Sequence, residues 1–150
     1  MYDITPITSE HPTDCGATCL KMLLSYYDVD VPLDQLIEEC HTSIIGCTAR
    51  DLLEAGRRHG QEMHAYKTDI DGILAVDRPA IVWWKRKHFC IFSGVDLAGN
   101  IVIINPDRGR YRMSKSLFKC WYSGVAVFVG VPADIDGVEL IDVYTNIIAP

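Results

Sequence analysis

Nothing in this sequence of 150 residues approaches the roughly 20 consecutive apolar residues that a helix needs to cross a bilayer. Its start, Met1-Tyr2-Asp3-Ile4-Thr5-Pro6, has neither the basic residues nor the apolar core of a signal peptide. The expectation is a domain that faces the cytoplasm. Basic charge is in the minority: 14 Lys and Arg stand against 20 Asp and Glu, a net charge of -6. That balance argues against a nucleic-acid partner. The local clusters Lys85-Arg86-Lys87 and Arg108-Gly109-Arg110-Tyr111-Arg112 read as solvated surface. No P-loop occurs, so this chain carries no ATPase of its own. Repeats, low-complexity tracts and linkers are missing, and so is any Cys-x-x-Cys pair. Cys15 and Cys19 share a helix face at i,i+4 spacing, yet no second pair completes a four-ligand zinc site. No metal or other cofactor is expected. The six cysteines (15, 19, 40, 47, 90 and 120) are expected to stay reduced, as packing residues or as a reactive thiol.

What remains is a folding chain. Apolar residues make up 49% and charged residues 23%, which is globular rather than disordered. The length suits one domain able to bury about two-thirds of its unfolded surface. The first half has helical periodicity. Thr13-Asp14 offers an N-cap, and Leu20, Leu23, Leu24 and Tyr27 recur on one face. Pro32 starts a second short helix with Leu33, Leu36, Ile37 and Cys40 inward. Thr48 and Asp51 resemble a capping box that opens a third, ending before Gly60. The second half changes period. Met63–Tyr66, Ala80–Trp84, Phe89–Val95, Ile101–Ile104 and Val125–Val131 read as strands, with helical turns over Ile70–Val76 and Ser114–Phe118. Helices first and an antiparallel sheet afterwards predict an α+β domain over residues 1–131. Residues 132–150 are expected to form an edge strand or a connector.

Chemistry centres on three residues. Cys15 falls in the first turn of the first helix, where free N–H groups and the positive end of the dipole favour a thiolate. Gly16 beside it has no side chain to crowd a substrate carbonyl. Read singly, Cys15 also fits a small buried hydrophobe, the usual fate of a free cysteine, and its place at a helix start favours the reactive reading. A thiolate nucleophile needs a base, and His88, at the start of a strand, is the best placed of five histidines. His11 lies in an irregular segment, His41 and His59 at helix ends, and His64 within a short strand. One strand after His88 comes Asn105-Pro106. Its amide can accept the Nδ1–H bond and fix the tautomer, as a Cys-His-Asn site requires, although the pair is also an ordinary turn.

The run Asp14-Cys15-Gly16-Ala17-Thr18-Cys19-Leu20-Lys21-Met22 resembles the nucleophile motif of the double-glycine leader peptidases, papain-like domains of bacteriocin-exporting ABC transporters. Gly46-Cys47-Thr48-Ala49-Arg50-Asp51-Leu52-Leu53 is similar to that family's helix before the sheet. Pro79-Ala80-Ile81-Val82-Trp83-Trp84, leading to His88-Phe89, resembles its histidine strand, and Asn105-Pro106-Asp107-Arg108-Gly109-Arg110 its Asp-Pro segment. The resemblance runs in order from about residue 9 to 131. It implies a papain-like fold, Cys15 as nucleophile, His88 as general base and acid, and Asn105 as orienter. The implied activity is hydrolysis of a leader peptide after a Gly-Gly type pair. The implied partners are that leader and the membrane and ATP-binding parts of an exporter, with the domain on the cytosolic side. Trp83, Trp84 and Phe89 would wall the cleft or pack in the core. Two positions depart from the pattern. Asn105 stands where the family has aspartate, keeping the hydrogen bond and losing the charge. Ser9 stands where the family has an oxyanion-hole glutamine, and its hydroxyl reaches less far. The competing readings are a domain that binds a leader or transported peptide while cleaving poorly, and a cysteine acyltransferase, which shares the first half-reaction.

Overall fold

The central strands are apolar at nearly every position, so an antiparallel sheet made of them needs a cover on both faces. The computed structural model, which describes residues 1–85, 87–130, 132–133 and 135–141, provides both. On one side lie α1 (Cys15–Tyr26), α2 (Leu33–Glu39) and α3 (Ala49–Arg58); on the other lie α4 (Ile70–Ala75) and α5 (Lys115–Trp121). Between them runs a sheet of β1 (Met63–Thr68), β2 (Ala80–Trp84), β3 (His88–Val95), β4 (Ile101–Asn105), β5 (Gly109–Met113), β6 (Tyr122–Val129) and β7 (Gly137–Leu140). The strand order is β5-β4-β3-β2-β6-β1-β7, every neighbouring pair antiparallel.

Side-chain alternation splits the strands between two cores. Ile81, Phe89, Ile91, Ile104 and Val127 join Leu20, Leu23, Leu24 and Leu52 beneath the three long helices. Val82, Trp84, Cys90, Phe92, Ala126 and Phe128 join Ile73 and Phe118 beneath α4 and α5. The fold is the expected α+β arrangement with a papain-like order of helices and strands.

Local chemistry explains the boundaries and several departures. Thr48 and Asp51 form the reciprocal capping box of α3, and Ser114 accepts a bond from Leu117 N–H at the start of α5. Asp14 occupies the N-cap of α1 but its carboxylate makes no capping bond, because a 3₁₀ turn over Pro12–Asp14 feeds straight into the helix. Helix α5 runs to Trp121 rather than stopping at Phe118, and β6 starts at Tyr122 rather than Val125. Ser123 and Gly124 disguise that start: Gly124 has φ 98°, and the pairing with β2 shifts register between Val82 and Trp84. Strand β5 takes up most of the Arg108–Arg112 cluster that is expected as solvated surface. It is an edge strand whose charged residues face solvent, so its composition reads as surface. Among the C-terminal residues, β7 pairs with β1 at the opposite edge; Val131 and residues 142–150 lie outside the described residues, as does Arg86 of the first basic cluster.

Gly16 sets the approach of α1 to its neighbours. A Cβ there would stand 2.4 Å from Cys47 Sγ and 3.3 Å from both Leu52 and Phe89. Gly16→Ala is therefore expected to destabilise the domain by about 1–3 kcal/mol through overpacking, measured as the shift in urea midpoint at constant m-value.

Candidate active site

The first residue of α1, Cys15, is 7% exposed and belongs to the core under the three helices. Across from it, His88 begins β3 and Asn105 ends β4. Antiparallel pairing of those strands aligns Ile91 with Ile104, which brings the outer ends, three residues before and one after, to the same end of the sheet. His88 Nε2 is 3.0 Å from Asn105 Oδ1, and the ring is also hydrogen-bonded to Cys15. Since Nε2 is occupied by the amide, Nδ1 is the nitrogen left for the thiol. This corrects the tautomer expected from the sequence, in which Asn105 would take Nδ1–H. The ring enters from the strand end, so its outer nitrogen meets β4 and its inner one meets α1.

Burial alone would lower the His88 pKa by disfavouring the imidazolium. Hydrogen bonds to Cys15 and Asn105, and the charges of Cys15 and Asp107, outweigh it and raise the pKa from its ordinary value. Asp107 approaches with Oδ2 3.7 Å from Nε2, and its backbone N–H donates to Asn105 Oδ1 at 2.8 Å. On the far side, Tyr111 of β5 hydrogen-bonds to the side chains of Asn105 and Trp84. Oxygen toward His88 and nitrogen toward the phenol leave the Asn105 amide one orientation. Tyr111 escaped the sequence reading because it lies in the cluster assigned to solvated surface, and Asp107 because Asn105, two residues before it, already fills the orienting role. The alternation Arg110-Tyr111-Arg112 was the available signal.

The remaining candidate residues divide. Trp84 lines a cavity of about 600 Å³ with His88, Asn105, Asp107, Arg108, Tyr111, Leu117 and Trp121. Trp83 packs on the other face, half-buried, and its indole Nε1 has no hydrogen-bond partner among the described residues. Phe89 is 2% exposed, and Gly16 is enclosed by Cys47, Leu52 and Phe89. These two serve the packing of α1 on β3 rather than the wall of a cleft. Ser9 lies near, its N–H bonded to Pro106 O at 2.8 Å, but its hydroxyl donates to Thr18 Oγ1 at 3.0 Å. The proton expected for an oxyanion is directed into α1.

Two of the other histidines have carboxylate partners. His59 pairs with Glu39 at 2.7 Å, and His64 lies between Glu62 and Glu139. No disulfide is formed: all six cysteines are free, five of them buried, with Cys120 exposed. Burial pushes the Cys19 and Cys90 thiols up, and a hydrogen bond donated to Cys40, together with burial, does the same to Cys47. His41, Asp51 and Glu54 bring potential metal-ligand atoms within 4.8 Å of one another, His41 and Glu54 being exposed; Asp51 is already committed to its capping box. No helix among the described residues is long and apolar enough to cross a membrane.

A thiol at the head of a core helix, facing an imidazole on an antiparallel sheet, is the framework of a papain-like cysteine peptidase domain. Residues 3–133 match the Peptidase C39 family, and the chain belongs to it. Among solved structures, a double glycine motif protease from an AMS/PCAT transporter, determined with a leader peptide, is 26% identical with TM-score 0.81, covering 85% of this chain and 91% of that one. The peptidase domain of Streptococcus ComA, a bifunctional ABC transporter involved in quorum sensing, is 25% identical with TM-score 0.78, covering 87% and 98%. Among sequences, the probable microcin-H47 secretion/processing ATP-binding protein MchF of Escherichia coli is 23% identical over 116 residues, 77% of this chain and 16% of the relative. The lacticin-481/lactococcin-DR transport/processing ATP-binding protein of Lactococcus lactis is 24% identical over 126 residues, 81% of this chain and 18% of the relative. The chain thus spans less than a fifth of either relative's length.

Tyr111→Phe removes the hydroxyl that the Asn105 and Trp84 side chains share. With those polar groups deprived of a partner, the expected loss is about 1–3 kcal/mol, read by urea denaturation against the unsubstituted domain.

Proposed function

We propose that this domain removes a leader segment from a secreted peptide precursor by hydrolysing the bond after a Gly-Gly or similar small-residue pair, with Cys15, His88 and Asn105 as its working residues. The observation that carries the reading is the hydrogen-bonded relay from Cys15 through His88 to Asn105, whose second link is 3.0 Å long. Family membership and the processing transporters among the relatives support the substrate class. The domain acts on the cytosolic side, with the membrane and ATP-binding parts of an exporter as partners.

The chemistry follows from the relay. The Cys15 proton passes to His88 Nδ1, and the thiolate attacks the scissile carbonyl carbon to form a tetrahedral oxyanion. As that intermediate collapses, the imidazolium protonates the departing amine, the C–N bond breaks, and a thioester remains on Sγ. His88 then takes a proton from water, hydroxide adds to the thioester, and collapse releases the carboxylate and returns the thiol. Asn105 keeps the ring in the tautomer that presents Nδ1 throughout. We assign the oxyanion to the backbone N–H of Cys15, because the Ser9 hydroxyl donates to Thr18.

That last feature favours one second reading, a leader-binding domain that cleaves slowly for want of a side-chain oxyanion donor. The two readings separate on a precursor carrying a Gly-Gly leader. Hydrolysis at the pair, lost in Cys15→Ala and reduced about a hundred- to ten-thousandfold in His88→Ala, supports the peptidase; leader binding without a cut supports the alternative. Independently of any substrate, alkylation mapped by mass spectrometry is expected to mark Cys15 ahead of the exposed Cys120, with His88→Ala removing that advantage. Ser9→Ala is expected to change turnover by less than about threefold, and Ser9→Gln to raise it by up to about a hundredfold by supplying an amide donor.

A further inference from the structure

The imidazole of His88 is held by a neutral group. Asn105 Oδ1, 3.0 Å from Nε2, fixes the ring through a dipole, and a dipole stabilises an imidazolium less than a carboxylate would. A carboxylate nevertheless faces the same nitrogen. Asp107 Oδ2 is 3.7 Å from Nε2, too far for a hydrogen bond and near enough for a direct Coulomb attraction. Its residue is anchored there, because the Asp107 N–H donates to the same Asn105 oxygen at 2.8 Å. One amide oxygen therefore sets both the ring and the backbone that bears the charge.

Building on the Cys15–His88 reading above, we propose that Asp107 is a positioning residue that supplies the negative charge for the His88 imidazolium, while Asn105 supplies only its geometry. Two tasks that a single buried carboxylate would perform are divided between a buried amide and a carboxylate whose side chain is 47% exposed. The division has a consequence. A charge in contact with solvent is screened by ions, so the pH at which His88 loses its proton depends on ionic strength.

The groups around the ring are the Cys15 thiol from α1, Asn105 from β4, Asp107 and Arg108 from the turn that follows, and Tyr111 and Trp84 beside the cavity. Arg108, and Lys85 and Lys87 of the β2–β3 turn, are exposed cations. Asp107 is the carboxylate paired with His88 among the described residues.

The test is an NMR titration of the His88 ring proton, assigned by its loss in His88→Gln, at low and high salt. At low salt, Asp107→Asn removes the charge and keeps the backbone N–H. The imidazolium-to-imidazole ratio, read at the pH where the unsubstituted domain is half-protonated, is expected to fall about three- to eightfold. High salt should bring the unsubstituted domain toward the variant while leaving the variant nearly unmoved. Adding Asn105→Asp to Asp107→Asn should restore the ratio by returning a charge to Nε2. Asp107→Ser serves the same purpose should the asparagine disturb the turn. Coincident low-salt titrations of the unsubstituted domain and both single variants, with amide spectra unchanged, would overturn the proposal. Cys15 alkylation in the same samples separates the two levels. If it depends on His88 and ignores Asp107 in every respect, only the role of Asp107 falls; if it ignores His88, the relay and this proposal fall together.

Discussion

The first helix can approach β3 closely because Gly16 presents no side chain to Cys47, Leu52 and Phe89, and the remainder of the site is built on that contact. It places the first residue of α1 within reach of a ring that projects from the end of a neighbouring strand. Move the helix outward by the width of a methyl group and the thiol leaves the imidazole, although every strand would still pair. The apolar cluster beneath α1, with Leu20, Leu23, Leu24 and Leu52 fully or almost fully buried, holds this distance by close packing.

A second constraint acts within the sheet. His88 and Asn105 belong to adjacent antiparallel strands, and their bond depends on register: a slip of one residue would send one of them to the opposite face. The register is fixed by two cores rather than one, since β3 and β4 are buried on both sides. Tyr111 and Trp84 then complete the polar end of the assembly by orienting the Asn105 amide. The polar chain Trp84–Tyr111–Asn105–His88–Cys15 crosses four strands and one helix. No two consecutive members of it are neighbours in sequence.

Much of this was legible beforehand, and for identifiable reasons. Thr48 and Asp51 announced α3 because a capping box is local, satisfying orphan N–H groups within four residues. Ala80–Trp84 and the strand after His88 announced themselves through continuous β-branched and aromatic residues. Strand β5 did not, because at an edge its glycine, tyrosine and arginines are also what a surface turn contains. The start of β6 was hidden by Gly124, whose positive φ belongs to a strand irregularity rather than a turn. Ser9 was read as facing a substrate, but whether its hydroxyl turned outward or toward Thr18 depended on where α1 came to rest.

The sequence by itself determined the residue types that chemistry requires: a cysteine at a helix start, a histidine at a strand start, and an amide one strand later. It also determined the periods that make the first half helical and the second half extended. Only the tertiary structure decided which ring nitrogen meets which partner, that Gly16 and Phe89 belong to packing, and that Asp107 stands beside His88 and Tyr111 beside Asn105. The physical reason is range. Caps, turns and periodicity are settled within a few residues, whereas the tautomer of His88 depends on contacts between residues 15, 88, 105, 107 and 111, which meet only after the sheet has fixed its register.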